Sequence, residues 1–311
     1  LVNSVLAPLA IGRHWRSPAA LFQELTQRTA VLALQSGEPG PIAHGIAGLD
    51  IAAWDLVARK SGQPLWQLLG GHSDSVQVYA SGLNPDAPAR LAADRQAEGY
   101  RAFKLKVGFG IDRDLDNLAQ LRSTLASDAV LMVDANQAWT REKALAFVPR
   151  LEPFDLAWLE EPLRADMPWY EWQSLQSVSS IALAAGENVA GFADFDTAIG
   201  SGALSVIQPD LAKWGGFSGC LPVARRILHA GLRFCPHYLG AGVGLLASGH
   251  LLAAAGGDGM LEIDANPNPL RTLLWGPLAI VHNGQALLGT GPGLGSLPDL
   301  EAIEPYRIAI D

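Results

Sequence analysis

The stretch Ala102-Phe103-Lys104-Leu105-Lys106-Val107 alternates apolar and cationic side chains, and alternation with a period of two marks a β-strand. Lys104 and Lys106 then share one face, with Phe103, Leu105 and Val107 on the other. Two ammonium groups on neighbouring same-face positions repel each other, so a fold that keeps them together has a use for them. An edge strand guarded by lysines has the same pattern. The rest of the chain decides between the two.

The 311 residues carry a formal net charge of −9, with 49% apolar and 17% charged residues. That length and composition predict a globular protein with a sizeable core, built as one large α/β barrel or as two ordinary domains. No apolar run has membrane-spanning length. The acidic balance and the lack of basic tracts argue against nucleic acid or an anionic membrane as partner. A lysine strand still lets a small anionic molecule bind locally. Two cysteines, Cys220 and Cys235, are too few for a disulfide framework, so a reducing, cytoplasmic setting is expected.

Residues 1–75 have a helical pattern, and the chain opens at Leu1 in what reads as mid-helix. Ser17-Pro18 reads as an N-cap followed by proline in the first turn, opening a helix through Leu21, Leu25 and Val31. Between Ile46 and Val57 a helix is expected to turn Leu49, Ala52, Ala53 and Leu56 to one face, ending at Gly62-Gln63-Pro64. His14, His44 and His72 read as surface or loop histidines, and no chemistry is expected from this segment. From Val76 a unit repeats: a short apolar strand, a few polar residues, then a helical stretch. Strands are predicted at 76–80, 102–107, 130–133, 156–159, 181–185, 205–207, 233–235 and 260–263, with amphipathic stretches such as 115–125 and 223–230 between them. Eight strands alternating with helices over residues 76–277 predict a barrel of the TIM type. The tail, 278–311, carries an Asn283-Gly284 hairpin signal and a glycine- and proline-rich run at 289–298. It is expected to fold back on the helices of 1–75 as a second, smaller capping domain.

Barrel enzymes carry their chemistry at the C-terminal ends of the strands. Seven consecutive predicted strand ends carry an ionisable residue here: Lys106, Asp134, Glu160, Glu187, Asp210, His237 and Glu262, spaced 23 to 28 residues apart. Gathering such groups at one mouth costs free energy unless something compensates, so the pattern points to a site. Asp134, Glu160 and Glu187 come from three consecutive strands and repel one another unless a cation joins them. Hard oxygen ligands without cysteine or histidine favour Mg2+, with Mn2+ as a substitute. Lys104 and Lys106 flank the trio on the preceding strand. His237 flanks it from two strands beyond, with Asp210 placed to orient the imidazole. A lysine beside another cation can serve as a general base. The set suits removal of a proton from the carbon next to a carboxylate. The metal stabilises the enediolate, a base on either face takes or returns the proton, and a protonated Glu262 donates a hydrogen bond to the second carboxylate oxygen.

These residues lie in Lys104-Leu105-Lys106, Val133-Asp134-Ala135-Asn136, Trp158-Leu159-Glu160-Glu161-Pro162, Gly186-Glu187-Asn188, Pro209-Asp210-Leu211-Ala212-Lys213-Trp214-Gly215-Gly216 and Pro236-His237. As an ordered set, running from residue 46 to the C-terminus, they resemble the motifs of the enolase superfamily, and within it the mandelate racemase branch. The resemblance implies a (β/α)7β barrel under an α+β capping domain. It also implies Asp134, Glu160 and Glu187 as metal ligands, and Lys106 as one base with Lys104 its electrostatic partner at the substrate carboxylate. His237 with Asp210 becomes the base or acid on the opposite face, Glu262 the enolate-side hydrogen-bond donor, and Asn136 a contact to a substrate hydroxyl. Lys213 stands where the muconate-lactonizing branch places a catalytic lysine, though the racemase branch has a lysine there too. Family members open with a strand-rich part of the cap that this sequence is expected to lack. The expected partner is a small-molecule carboxylate, and the expected assembly a homo-oligomer.

Dehydration of an acid sugar to a 2-keto-3-deoxy acid is the favoured expectation, because His237 can deliver a proton to a departing β-hydroxyl. Racemisation or epimerisation by 1,1-proton transfer is the alternative. A cycloisomerase or dipeptide epimerase would use Lys213 as its second base, and a non-catalytic carboxylate binder would need the metal but not the bases. Gly240-Ala241-Gly242-Val243-Gly244 faintly resembles a dinucleotide loop, but Leu245 stands where the third glycine belongs and no acidic residue follows at the required distance. His229 and His250 fall on predicted helices and read as structural or surface residues, and Cys220 and Cys235 as core or loop thiols. Trp139 and Trp214 could line the site, whereas Trp158 reads as core packing.

Overall fold

Proline and capping residues set the first helices of the chain, whose computed structural model describes residues 1–308. A short helical segment, Val2–Leu6 and Ala7–Ala10, precedes them. Helix α1 (Pro18–Ser36) opens at Ser17, whose hydroxyl accepts from the Ala20 amide at 3.1 Å, and stops at Gly37 in the left-handed region. Helix α2 (Pro39–Ser61) stops the same way at Gly62. The two pack through Leu21, Phe22, Leu25, Ile42 and Ile46. The expected face of α2 is not the buried one. Ile42, Ile46, Ala47, Asp50, Ile51 and Ala58 are buried, while Leu56 is 53% exposed. The helix is wedged between α1 and the barrel, so two partners set its buried surface and a single amphipathic stripe does not describe it.

Strand and helix then alternate: β1 (Ser75–Leu83), α3 (Pro88–Ala97), β2 (Ala102–Lys106), α4 (Ile111–Thr124), β3 (Val130–Asp134), α5 (Arg141–Leu151), β4 (Leu156–Glu160) and α6 (Trp169–Gln176). The second half continues with β5 (Leu183–Ala185), α7 (Phe192–Gly200), β6 (Val206–Ile207), α8 (Gly216–His229), β7 (Arg233–Phe234), α9 (Gly242–Ala255) and β8 (Met260–Asp264). Strands β1 to β7 pair in parallel in chain order, and β8 returns to pair with β1. The fold is an α/β barrel of the TIM type, with helices around a parallel sheet. Among the described residues β7 and β8 share no backbone ladder. Side chains bridge that seam, with the Met260 amide donating to Cys235 Sγ at 3.4 Å. Inside, seven of the strands each send one residue, and the residue just after β7 joins them, into a buried layer made of Tyr79, Ala102, Met132, Trp158, Ala184, Val206, Cys235 and Met260. This layer is the floor on which the site stands.

The tail forms the expected hairpin, β9 (Val281–His282) and β10 (Gln285–Leu287), turning at Asn283 and Gly284, both at positive φ. Its strand partner is the barrel: β10 runs antiparallel to the first residues of β1, Ser75↔Leu287 to Gln77↔Gln285. Partners on both edges explain why β1 is longer than expected. The glycine-rich run that follows does reach the helices, with the Leu294 amide donating to Asp55 Oδ1 at 2.7 Å and Arg59 Nη2 to the Ser296 carbonyl at 2.6 Å. The other glycine run opens α9, where side chains at Gly240 and Gly244 would strike the Tyr238 ring. No helix among the described residues is long and apolar enough to cross a membrane.

Candidate active site

The period of two that builds the floor also lifts the ionisable groups above it. Lys104 and Lys106 follow Ala102, Asp134 follows Met132, Glu160 follows Trp158, His237 follows Cys235 and Glu262 follows Met260, each on the inward face. Strand register then sets Lys106 beside Asp134, and Asp134 beside Glu160.

Lys104 has no exposed surface, and its Nζ lies 2.7 Å from both Glu160 carboxylate oxygens, 2.7 Å from Glu262 Oε1 and 3.6 Å from Asp134 Oδ2. Lys106, higher in the mouth and partly exposed, donates to Asp134 Oδ2 at 2.6 Å and to Asn136 Oδ1 at 2.7 Å. His237 Nδ1 faces Asp210 Oδ2 at 2.8 Å, while its Nε2 faces Glu187 Oε2 at 2.5 Å and Glu262 Oε2 at 3.7 Å. Lys213 Nζ stands 3.4 Å from Glu187 Oε1. Every residue singled out from the sequence thus falls into one connected network: Lys104, Lys106, Asp134, Asn136, Glu160, Glu187, Asp210, Lys213, His237 and Glu262.

Charge balance sets the protonation states. Burial disfavours the charged imidazole of His237, but Glu262, Asp210 and Glu187 override it and push its pKa up to about 10. Burial likewise works against Glu187, yet the His237 contact holds its carboxyl well below the usual range. Glu262 goes the same way, down to about 2, because Lys104 and His237 outweigh its burial. Glu160 is lifted to about 7 by burial, opposed by Lys104 and reinforced by the charges of Asp134 and Glu262. Burial also opposes the Lys104 ammonium, and Glu160 and Glu262 hold its proton firmly in place.

Glu262 accepts hydrogen bonds from Ser81 Oγ at 2.6 Å and the Tyr238 amide at 3.1 Å. Lys104 does not face the open mouth: it is sealed beneath the carboxylates that neutralise it. The carboxylates of Asp134, Glu160 and Glu187 each contact a basic side chain: Lys106, Lys104 and His237 respectively.

Period two also points to residues the sequence reading passed over. Trp158, expected only to pack, donates its indole N–H to Glu160 Oε2 at 3.2 Å, and Gln208, two residues before Asp210, donates to the same oxygen at 2.7 Å. Asn188 Nδ2 bridges Glu161 and Glu187 at 2.9 and 3.0 Å. Glu161 sits buried at φ +38°, its pKa lifted to about 7 by burial and by Glu187. No periodic signal marks Glu161, because its backbone leaves the strand conformation. Trp139 is buried edge-on against Phe147. Trp214 packs among Phe22, Phe192 and Phe195 and borders a cavity of about 450 Å³ that also reaches Glu187 and Lys213.

The donor set fits a hard divalent cation. Six carboxylates (Asp134, Glu160, Glu161, Glu187, Asp210 and Glu262) face four basic groups (Lys104, Lys106, Lys213 and His237). Carboxylate oxygens, with no thiol among them, are the hard donors that suit magnesium.

Residues 87–303 match the model of the enolase C-terminal domain-like family, and residues 1–70 that of the mandelate racemase/muconate lactonizing enzyme N-terminal domain. The chain belongs to the enolase superfamily. Within it, the match to both domains places it in the mandelate racemase/muconate lactonizing enzyme family. A mandelate racemase/muconate lactonizing enzyme structure from Bordetella bronchiseptica RB50 is 56% identical, with a TM-score of 0.96 over 99% of this chain and 85% of that one. D-galactarolactone cycloisomerase of Agrobacterium fabrum is 33% identical over 88% of this chain and 76% of its own. A racemase from Streptomyces coelicolor A3(2), solved with bound magnesium, is 28% identical with a TM-score of 0.87, covering 99% of this chain and 83% of that one. Further superfamily relatives carry the names of acid-sugar dehydratases and of a dipeptide epimerase. The superfamily relatives of this chain are thus lyases and isomerases.

Proposed function

We propose that this protein removes the α-proton of an acid-sugar carboxylate and expels the β-hydroxyl, giving a 2-keto-3-deoxy acid. The observation that carries this reading is the pairing of two bases in one buried acidic network. Lys106 is held by Asp134 and Asn136, and His237 is clamped between Asp210 and Glu187. Asp134, Glu160 and Glu187 would hold Mg2+, or Mn2+ in its place. When bound, that ion supplies positive charge for the substrate carboxylate as its α-carbon loses a proton.

The residues of the chain do the rest. Lys106, in its neutral form, takes the α-proton, and the C–H electron pair becomes the double bond of an enediolate. The C–O bond to the β-carbon then breaks. His237, kept protonated by its carboxylate neighbours, gives its Nε2 proton to the leaving oxygen, which departs as water. The resulting enol tautomerises to the keto acid. Asp210 holds the imidazole by Nδ1, which fixes Nε2 as the proton-bearing face. Asn136, at the rim, meets a substrate hydroxyl. The Asp210–His237 pair supports the racemase branch over one that uses Lys213, whose ammonium is occupied by Glu187.

The cycloisomerase relative, which spans most of the chain, supports a second reading. In it the expelled oxygen belongs to a lactone or anhydro ring, so breaking its bond to the β-carbon opens the ring and the leaving group stays attached to the product; the first step is unchanged. Both are tested by one panel: aldonic acids, aldaric acids and their lactones with Mg2+ in D2O, followed by keto-acid formation and deuterium at Cα. Keto acid from an open-chain acid supports dehydration, and from a lactone alone the ring-opening form. Deuterium without elimination points to racemisation, and neither from any member of the panel refutes the proposal.

A further inference from the structure

Helix α8 starts directly after the turn that carries Asp210 and Lys213. Its N-cap, Gly215, has no side chain to serve the first free amides. The acceptor comes from elsewhere in the chain. Asp50, on α2 and 1% exposed, accepts from the Ser218 amide at 3.0 Å, from the Ser218 hydroxyl at 2.5 Å and from the Phe217 amide. Trp54, one turn along α2, donates its indole N–H to the same Ser218 hydroxyl at 2.9 Å. Gly216 sits at φ +51°, and a side chain there would collide with the Asp50 carboxylate. Both partners are therefore shaped for the contact.

The turn between Asp210 and Gly216 is stiff. Asp210 Oδ1 accepts from the amides of Ala212 and Lys213 at 2.8 and 3.0 Å, the Trp214 amide donates to the Asp210 carbonyl, and the Gly216 amide to the Leu211 carbonyl. One end of the turn is tied to His237 through Asp210 Oδ2, and the other to Asp50.

We propose that Asp50 is a positioning residue, capping α8 from the neighbouring helix pair so that the turn presents Asp210 to the His237 imidazole in one fixed direction. Asp50 itself touches no reacting group. The inference rests on the reading of His237 as an acid–base group, so its test follows the imidazole directly as well as turnover.

Asp50→Asn keeps the side-chain volume but turns one acceptor into a donor facing the α8 amides and the Ser218 hydroxyl. The folded variant, judged by its cooperative melt, is expected to show displaced His237 imidazole ¹⁵N–¹H resonances, assigned by their loss in His237→Asn. Its kcat on whichever acid is turned over is expected to fall roughly tenfold with KM changed less than about twofold. Should Asp50→Asn fail to fold, Ser218→Ala removes a single donor and is expected to displace the same resonances, with about a threefold loss in kcat. Unchanged imidazole resonances in a folded variant, or a raised KM with intact kcat, overturn the proposal. Displaced resonances in a protein that turns over no acid uphold the positioning role and refute the reaction proposed above.

Discussion

Two histidines of this chain are buried to the same degree and behave in opposite ways. His237, in the loop that follows β7, is surrounded by Asp210, Glu187 and Glu262 and has its pKa pushed up to about 10. His250, inside α9, has no exposed surface, and burial drives its pKa down to about 4, opposed only weakly by the Leu294 backbone and Asp55. Its Nδ1 accepts from the Trp66 amide at 2.9 Å, which a ring protonated at both nitrogens could not do. Burial alone therefore does not decide what an imidazole does; the count of carboxylates within reach does. One ring is kept as an acid at a mouth, and the other is a neutral acceptor that pins the helical turn at Leu65–Leu68 to α9.

The contrast breaks most visibly at the mouth. On the proposed reading, His237→Asn and Lys106→Met each lower turnover by about 10²- to 10⁴-fold while the protein stays folded, measured as keto-acid formation and α-deuterium exchange. If either variant retains parent activity, the mouth histidine or lysine has no more to do with chemistry than His250 has. His250→Ala is expected to do the reverse, costing about 2–4 kcal/mol in denaturant unfolding with kcat per folded molecule unchanged.

Titration sharpens the same comparison. His250 ionises near 6.5 when free and near 4 when folded, so between those values the unfolded chain binds the extra proton. Stability should therefore fall as pH drops through that window, by about 3 kcal/mol from this group, and His250→Leu should flatten the slope. His237 has the opposite sign: its contribution is full below about 6.5 and is lost as pH rises towards about 10. The smallest effect is expected from Trp158→Phe, which removes one hydrogen bond to Glu160 and should cost about 1 kcal/mol by denaturant unfolding.

Local periodicity made the barrel legible. The alternation at Lys104 and Lys106 and the even spacing of the strand ends locate β2 to β8, because a strand exposes its period wherever one face is charged. Helix α2 was harder, since a helix clasped on two sides buries two partial stripes, and Leu56 looks as apolar as Ile51 in sequence. The gathering of seven ionisable strand ends could be read from strand order, and Lys104 from the alternation, whereas Asn136 and Lys213 came from the family resemblance. The internal state of these groups could not be read that way. Whether Glu262 keeps a proton depends on its 2.7 Å approach to Lys104, two groups 158 residues apart in the chain. Trp158 and Gln208 were within reach of the same rule that found Glu160 and Asp210, had it been applied one pleat lower.

The hairpin at the tail has a consequence for how the molecule is made. Strand β1 zips to β8 along one edge and to β10 along part of the other, so residues 75–83 wait for partners up to 212 positions downstream. At about 5 to 20 residues per second that delay is on the order of 10 to 40 s of translation. The end of β1 that faces β2 finds its partner early, whereas the edge that β8 covers and the first residues that β10 covers stay unpaired until those strands are made. The two edges of β1 are thus completed only by segments made long after it, β8 and then β10.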